Sequence, residues 1–511
     1  MELKRGEKPD LVKWFSELNK GSGPIAGGKG ANLAEIYNIG VPVPPGFVIT
    51  AQAYNYLIKA AGIHDKISIL LGKINYEDTS KLDSITKEIR ELIEDAKLPE
   101  EMKEEILEAY EILSADDSAG DRSAHSIVKK SPEPVFVAVR SSATTEDLAE
   151  ASFAGQQDTY LNVKGKEDLL KHVKKCFASL FTPRATYYRN KKGFKHDQSS
   201  LAVVVQKMVD SDKSGVIFSK DPSMDREEVV MEAVWGLGEG IVSGKISPDR
   251  YIISREFKIL EKEIGDKKIA ITRNSAGKQE IVKLKEERAK QQVLKDHEII
   301  KLAEIAIKLE EHYKKPQDIE FAIGNSEIYI VQTRPITTLE KRYSLGDVKE
   351  LKGEIILKGL AASPGIGVGK VKVVHRMEDL EKVLQGDILV TEMTNPDMVV
   401  TMQRCSAIIT DEGGLTAHAA IVSREMGIPA IVGTQDATKK LEDGEIVTVD
   451  GFTGKVYKGK VSESVQKEIK PVKHRTRTQL KVILDIPSFA ERASRTGLKG
   501  VGLARLEGTI A

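Results

Sequence analysis

Two separate blocks of this sequence alternate strand-like apolar runs with helical stretches, and this pattern constrains the fold most. The first block covers about residues 1–335, with strands predicted at Val135–Arg140, Leu201–Gln206, Gly215–Phe218, Val229–Ala233 and Ile328–Gln332, and helices notably at 166–181 and 286–313. The second block, Gly359–Lys458, is predicted to be a compact β/α domain. Strands alternating with helices indicate a multidomain protein of α/β and α+β type.

Length and composition exclude several classes of protein. The 511 residues predict about three domains at roughly 150 residues each. The 77 basic and 77 acidic residues balance, which argues against nucleic-acid and membrane-surface partners. Two cysteines, Cys176 and Cys405, are too few for a disulfide framework or a four-thiolate metal site. With no apolar leader or membrane span in the sequence, we expect a cytoplasmic protein.

Charged segments and a distinct tail divide the chain further. Asp347–Lys358 and Val461–Thr478 have the composition of linkers. The tail Leu480–Leu506 has the pattern strand, helix, strand, and therefore predicts one βαβ unit.

A glycine-rich segment, Gly23–Gly30, lies before a predicted helix. It nearly matches the P-loop pattern, but Gly30 stands where the pattern needs a hydroxyl, and no apolar strand precedes it. A P-loop is therefore rejected. Lys29 in such a loop can still bind phosphate as a point charge. The alternative is a flexible surface loop.

Arg140 ends a predicted strand and is followed by residues rich in Ser, Thr and Gly. The segments 141–147 and 151–157 supply small residues whose backbone N–H groups can approach an anion. A guanidinium beside such loops favours polyphosphate binding. The alternative is a strand followed by two helix caps.

A predicted hairpin with Gly324–Asn325 at its turn carries Glu320, Gln332 and Arg334. Carboxylate and amide oxygens on one face are suited to hold Mg²⁺ against nucleotide phosphates, with Arg334 beside them. The alternative is an ordinary polar hairpin face.

The segment Gly413–Gly427 is the most informative motif. It follows the strand Ala407–Thr410, and Thr416 is predicted to be the N-cap of a helix that ends at Gly427. His418 then lies in the first turn, where free N–H groups stabilise an added phosphoryl group. A metal-binding role is disfavoured because no second His or Cys lies at ligand spacing. A structural or solvated histidine is the alternative.

At these motifs the chain resembles the phosphoenolpyruvate synthase (pyruvate, water dikinase) family, within the superfamily of enzymes that use phosphoenolpyruvate. The segment Gly413–Gly433 resembles the phosphohistidine signature of that family. Further matching segments are Gly28–Leu33, Val139–Ala143, Ser152–Gln157 and Gln332–Pro335.

The resemblance implies two modules. Residues 1–340 would form an ATP-grasp-like domain that binds ATP and Mg²⁺ (Mg²⁺ through Glu320 and Gln332); its ATP-binding residues would be Lys29, Arg140, Ser152, Gly155, Gln156, Glu320, Gln332 and Arg334. Residues 355–460 would form a swivelling domain whose His418 takes the β-phosphoryl group of ATP and passes it to pyruvate, after water removes the terminal phosphate. Thr416 matches a position of regulatory phosphorylation in the family.

Residues 478–511 resemble the first βαβ of a (β/α)₈ barrel, in which Arg505 matches an arginine that binds pyruvate or phosphoenolpyruvate. A full barrel needs about 250 residues. We therefore expect the chain alone to perform the ATP-to-histidine half reaction, with a separately encoded barrel chain as a possible partner, and to form a homo-oligomer. The alternatives are a pyruvate, phosphate dikinase and an inactive, truncated nucleotide-binding or regulatory protein. A rifampicin phosphotransferase is disfavoured, since about 20 residues between Arg334 and Gly359 leave no room for its antibiotic-binding domain.

Overall fold

The structure is a computed structural model. It describes residues 10–76, 79–115, 133–144, 158–191, 196, 199–222, 227–242, 246–274, 277–336, 351–395, 398–415, 417–461, 481–484 and 501–504. The sequence-predicted site residues Ser152, Gly155, Gln156, Thr416 and Arg505 lie outside these ranges.

The chain divides into two compact units. The first comprises Met1–Asp347 together with Glu412–Ala417, and the second comprises Val348–Asp411 and His418–Ala511. Each unit contains both sheets and helices. The predicted mixed α/β multidomain fold is thus confirmed.

The first unit contains α-helices that connect its strands, and several of them cover its sheets. They are α1 (Gly23–Asn38), α2 (Ala51–Ala60), α3 (His64–Leu71), α4 (Thr79–Asp95), α5 (Glu100–Ala115), α6 (Lys166–Ala178), α7 (Pro183–Lys191), α8 (Glu239–Val242), α9 (Glu286–Ala289) and α10 (Asp296–Tyr313). Short 3₁₀ helices span Phe15–Glu17, Lys20–Ser22 and Ser179–Phe181.

Antiparallel sheets form the centre of the first unit. Their strands are β1 (Val12–Trp14), β2 (Gly46–Ile49), β3 (Val137–Ala143), β4 (Thr159–Val163), β5 (Leu201–Lys207), β6 (Lys213–Phe218), β7 (Val229–Trp235), β8 (Asp249–Ile253), β9 (Ile259–Glu263), β10 (Ile269–Arg273), β11 (Gln279–Lys283), β12 (Gln317–Gly324) and β13 (Glu327–Pro335). One sheet has the order β1-β2-β5-β3-β4, another has the order β13-β12-β6-β7-β8-β9, and β10 and β11 form a third.

The apolar run of β5 explains why the five-stranded sheet is covered on both faces. Alternate residues of this strand face opposite sides of a sheet. Leu201, Val203 and Val205 belong to one buried cluster, which includes residues of α2, α4, α5 and α6. Ala202 and Val204 belong to a second cluster, which includes residues of α1 and α10. The sheet therefore has helices on both faces.

Helix α1 is held in place by a buried carboxylate. Glu35 accepts hydrogen bonds from the Lys20 backbone N–H at 3.0 Å and from His312 Nε2 at 2.7 Å, which joins α1 to α10. Burial acts to raise the pKa of Glu35, but the hydrogen bonds from Lys20 and His312 and their positive charges outweigh it, so this pKa lies below its ordinary value.

The second unit is built on one eight-stranded sheet. Its strands are β14 (Ile355–Lys358), β15 (Leu360–Ser363), β16 (Ile366–Val374), β17 (Ile388–Thr391), β18 (Ala407–Thr410), β19 (Ala430–Val432), β20 (Ile446–Asp450) and β21 (Lys455–Lys458), in the order β14-β21-β20-β16-β17-β18-β19-β15. The strands β16, β17, β18 and β19 are parallel neighbours. The helices are α11 (Val399–Met402), α12 (His418–Met426) and α13 (Ala437–Lys440), with a 3₁₀ helix at Met377–Lys382.

The tail shows part of its predicted pattern. Strands β22 (Val482–Leu484) and β23 (Val501–Ala504) pair in parallel, as the strands of a βαβ unit do. The helix predicted between them, most of the linker Val461–Thr478 and the first part of the linker Asp347–Lys358 lie outside the described residues. Within the described part of the chain, no helix combines the length and the apolar character that crossing a membrane requires.

Several predicted elements differ from the structure. Arg140 was expected to end a strand, but β3 continues beyond it to Ala143. The end of the predicted linker Asp347–Lys358 is strand β14, Ile355–Lys358, which pairs with β21.

The helix expected at 286–313 is two helices, α9 and α10, separated by 290–295. The glycine-rich segment Gly23–Gly30, expected to be a loop, belongs to α1. That helix is interrupted at Gly27, whose φ of 67° and ψ of 175° are not helical.

Replacing Gly27 by alanine tests this interruption. A Cβ at Gly27 would come within 2.2 Å of the backbone oxygen of Ser142, and its φ is in the left-handed region. We expect Gly27→Ala to lower the free energy of unfolding by roughly 3 kcal/mol or more, measured by chemical denaturation. The matched control is Gly40→Ala, because Gly40 has a φ of 76° but open space around its Cβ position. It should cost about 1–2 kcal/mol from backbone strain alone. Equal losses in the two variants would contradict the close packing at Gly27.

Candidate functional site

The interruption at Gly27 determines where Lys29 lies. Because Gly27 is not helical, the residues that follow it begin a second helical stretch, and Lys29 falls in its first turn. Lys29 Nζ donates a hydrogen bond to the backbone oxygen of Ser141 at 3.1 Å. Ser141 follows Arg140 directly on β3. The structure therefore brings Lys29 to the strand that carries Arg140.

Arg140 extends from β3 to the hairpin formed by β12 and β13. Its NH1 donates to the backbone oxygen of Val331 at 2.8 Å, and its NH2 donates to Gln332 Oε1. The same NH2 lies 3.8 Å from Glu320 Oε2. Arg140 is 9% exposed, and its Nε is buried without a hydrogen-bond partner. A buried guanidinium with an unused donor has capacity to bind an additional acceptor.

Glu320 and Gln332 face each other across the hairpin. They are paired in the register of β12 and β13, so their side chains lie on one face. The prediction that both project to one side of the hairpin was correct. The turn is formed by Asn325 and Ser326, both with positive φ, one residue later than the predicted Gly324–Asn325.

Arg334 lies on the same face as Gln332, two residues along β13. Its Nε and NH2 both bond Asp318 Oδ2, at 2.8 and 2.7 Å. Asp318 is also its partner in the strand register. Arg334 is thus held by a carboxylate next to the pair Glu320 and Gln332. We call Lys29, Arg140, Glu320 and Gln332 the Arg140 cluster.

Two residues near the Arg140 cluster were not singled out from the sequence. Gln206 Oε1 lies 3.5 Å from Arg140 NH1, and Asp318 orients Arg334. Strand alternation could have identified Asp318, because residues two apart in a strand share a face. Asp318 lies two residues before Glu320, as Gln332 lies two residues before Arg334. No sequence pattern indicates Gln206, since its contact with Arg140 joins residues on different strands that are 66 positions apart.

The side-chain oxygens of the Arg140 cluster are suited to coordinate a hard divalent cation. Glu320 supplies a carboxylate and Gln332 an amide oxygen on one face, and Mg²⁺ is commonly held by one or two carboxylates together with substrate phosphates. Among the described residues, no group of three or more His, Cys, Asp or Glu side chains is arranged to hold a metal by itself. The cluster thus fits a cation that shares its ligands with phosphate.

In the second unit, His418 is the first residue of α12 and so lies in the first helical turn, as the sequence predicted. The helix begins one residue later than the predicted N-cap Thr416 implies. Its Nδ1 lies 2.9 Å from Thr394 Oγ1, a hydroxyl group on a residue that is 5% exposed. The parallel strands β17 and β18 end at the same edge of the sheet, and Thr394 follows the first of them. Sequence reasoning missed Thr394. The signal that could have found it is a hydroxyl-bearing residue shortly after β17, because β17 pairs with β18 and β18 is the strand that precedes His418.

The same edge is fixed by Asp411, which follows β18. Its Oδ1 accepts the backbone N–H of Thr438 at 3.0 Å, and the Thr434 hydroxyl lies 3.5 Å from that oxygen. Asp411 therefore ties the ends of β18 and β19 to the start of α13.

Neither cysteine is suited to act as a nucleophile. Burial raises the pKa of the Cys176 thiol well above its ordinary value, and burial raises that of Cys405 to about 12. His418 is therefore a better candidate for covalent chemistry than either thiol.

Comparison with known proteins identifies two family domains. Residues 23–353 match the family described as pyruvate phosphate dikinase, AMP/ATP-binding domain. Residues 383–454 match the PEP-utilising enzyme, mobile domain. The second range includes both Thr394 and His418.

Curated relatives match nearly the whole chain. It is 51% identical to a probable phosphoenolpyruvate synthase of Archaeoglobus fulgidus over 97% of this chain and 65% of that protein. It is 45% identical to the phosphoenolpyruvate synthase of Pyrococcus furiosus over 98% and 66%, respectively. It is 44% identical to a probable phosphoenolpyruvate synthase of Methanothermobacter thermautotrophicus over 97% and 71%.

Among solved structures, an NMR structure of Enzyme I is 32% identical over 16% of this chain and 33% of that chain, with a TM-score of 0.15, which is too low to support an argument. The chain spans about two thirds of the length of the curated relatives described above. The matching AMP/ATP-binding domain covers most of the chain, and the relatives agree with it. The chain therefore belongs to the phosphoenolpyruvate synthase family, which shares its nucleotide-binding domain with pyruvate phosphate dikinase.

Proposed function

We propose that this chain transfers a phosphoryl group from ATP to His418, as the first half of a phosphoenolpyruvate synthase reaction. The observation that carries the proposal is the Arg140 cluster, in which Arg140 contacts the side-chain oxygens of Gln332 and Glu320 and Lys29 bonds the residue that follows Arg140 on β3. The family's AMP/ATP-binding domain includes all four of its residues. We assign residues 1–340 to an ATP-grasp-like domain and residues 355–460 to a swivelling phosphohistidine domain.

Lys29 and Arg140 would bind the phosphate oxygens of ATP. The guanidinium offers a planar set of donors, and Lys29 adds a point charge at the start of a helical stretch, where the helix dipole favours negative charge. Arg334, Ser152, Gly155 and Gln156 complete the proposed ATP-binding set. Mg²⁺ bound through Glu320 and Gln332 would neutralise charge that develops on the phosphates.

His418 would act as the nucleophile through Nε2. Of the two tautomers that the bond with Thr394 allows, the one with a proton on Nδ1 donates to the Thr394 hydroxyl and carries its lone pair on Nε2, the atom that would attack. Attack on the β-phosphorus breaks its bond to the oxygen shared with the α-phosphate, and AMP leaves with that oxygen. Water then removes the terminal phosphate, which leaves phosphohistidine.

The pyruvate half of the reaction is assigned to a barrel that begins with β22 and β23. Arg505 would bind the carboxylate of pyruvate or phosphoenolpyruvate. A separately encoded barrel chain and a homo-oligomeric assembly stay predictions. Pyruvate, phosphate dikinase is the alternative activity, and a requirement for inorganic phosphate in AMP formation would favour it.

Transfer of label from ATP tests the proposal directly. With [β-³²P]ATP and Mg²⁺, we expect acid-labile, alkali-stable label on the full chain, with AMP as the nucleotide product. His418→Ala should abolish the label, because it removes the acceptor. The matched control is His375→Ala, an exposed histidine of the same unit, which should retain the label. Absence of acid-labile label on the unmodified chain, or label that persists in His418→Ala, would contradict the proposal.

Substitution of Thr394 tests how His418 is oriented. Thr394→Val keeps the shape of the side chain but removes the hydroxyl. We expect a roughly tenfold slower phosphorylation of His418, since a lost hydrogen bond of about 1.4 kcal/mol changes a rate by that factor. ATP affinity should not change.

Thr394→Ser retains the hydroxyl and serves as the control, with a rate within about twofold of the unmodified chain. ¹⁵N NMR of the imidazole should show Nδ1 protonated in the unmodified chain and in Thr394→Ser, and a mixture of tautomers in Thr394→Val. An unchanged rate and an unchanged tautomer in Thr394→Val would contradict the role of Thr394.

A further inference from the structure

The hydroxyl group of Ser142 lies inside the interruption of α1. Ser142 Oγ donates to the backbone oxygen of Ala26 at 2.8 Å and accepts from the backbone N–H of Gly30 at 3.1 Å. The residue is fully buried. One side chain of β3 thus bonds α1 on both sides of Gly27.

These two backbone groups are the partners that an uninterrupted helix would join directly. In an α-helix the N–H of residue i bonds the C=O of residue i−4, and Gly30 and Ala26 have that spacing. Since Gly27 departs from helical geometry, the Ser142 hydroxyl takes both positions. It replaces a missing helical hydrogen bond by a donor and an acceptor from another element.

Lys29 lies between the two attachment points, Ala26 and Gly30, in the sequence. It directly precedes Gly30, and its Nζ bonds the oxygen of Ser141, the neighbour of Ser142. Arg140 is two residues before Ser142 on β3. The Ser142 bonds therefore hold the segment that carries Lys29 onto the strand that carries Arg140.

We propose that Ser142 is a positioning residue of the phosphate-binding site, which keeps α1 open at Gly27 and so fixes Lys29 beside Arg140. This inference rests on the proposed function, because it assumes that Lys29 and Arg140 bind ATP. Without the hydroxyl, the Ala26 oxygen and the Gly30 N–H lose a buried partner. The direct helical bond between them would satisfy both groups, and its formation would carry Lys29 away from the strand.

A double-mutant cycle on the full chain tests this coupling. The dissociation constant of ATP, in buffer that contains Mg²⁺, is measured by titration calorimetry for Ser142→Ala, Lys29→Ala and the double variant. We expect Ser142→Ala to bind ATP about five- to tenfold more weakly. Because Ser142 acts through Lys29, the double variant should bind within about twofold of Lys29→Ala alone.

Ser179→Ala is the matched structural control. Ser179 is also buried, and its hydroxyl donates to the backbone oxygen of Cys176 at 2.6 Å. The substitution should lower the melting temperature to a similar extent as Ser142→Ala and leave ATP affinity unchanged. Where Ser142→Ala does not fold, Ser142→Cys, which retains a weak donor, enters the same cycle and should give a smaller loss with the same coupling to Lys29.

The outcomes separate this inference from the proposed function. If the losses of ATP affinity in Ser142→Ala and Lys29→Ala multiply in the double variant, the role of Ser142 is overturned and the ATP site is left intact. Unchanged ATP affinity in the folded Ser142 variants would have the same consequence. An unmodified chain that does not bind ATP, or full affinity in Lys29→Ala, would overturn the proposed ATP site and this inference with it.

Discussion

The interruption of α1 at Gly27, held open by β3, is the constraint on which the proposed site depends. In a continuous helix the N–H of Gly30 would bond the oxygen of Ala26, and no second helical stretch would begin beside the strand. The positive φ of Gly27 and the 2.2 Å that would separate its Cβ from the Ser142 oxygen restrict this position to glycine. The conformation of α1 at Gly27 is therefore specified jointly by the backbone geometry of the glycine and by contacts from β3, which is more than 100 residues away in the sequence.

Arg140 shows why that conformation suits an anion. The guanidinium is nearly buried, and most of its partners are neutral oxygens, the carbonyl of Val331 and the amides of Gln332 and Gln206. The carboxylate of Glu320 is farther away, with Oε2 at 3.8 Å from NH2. A buried cation with largely neutral partners carries a desolvation cost that is only partly compensated, and a phosphate would offset the rest.

The sequence predicted much of this arrangement where local pattern decides the structure. The apolar run Leu201–Gln206 is a central strand, and the hairpin places Glu320 opposite Gln332, because two-residue alternation fixes a face. His418 begins α12, and Gly427 has the positive φ of a residue that follows a helix end.

The sequence did not predict features that depend on tertiary contacts. The contact between Thr394 and His418 joins residues 24 positions apart, and that between Ser142 and Ala26 joins residues 116 positions apart. Neither leaves a periodic signal in the chain. The glycine-rich segment was expected to be a loop because glycine disfavours helices, but packing of α1 on the sheet, with Gly30 close to Val48 and Val204, overrides that preference.

The most direct test of the account is a crystal structure of the chain with a non-hydrolysable ATP analogue and Mg²⁺. The account predicts the β- and γ-phosphates within hydrogen-bond distance of Lys29 Nζ and the Arg140 guanidinium, with the metal on Glu320 and Gln332 and the hydroxyl of Ser142 still bonded to Ala26 and Gly30. Phosphates bound elsewhere, with Lys29 remaining on the oxygen of Ser141 and Arg140 remaining on Gln332, would contradict it.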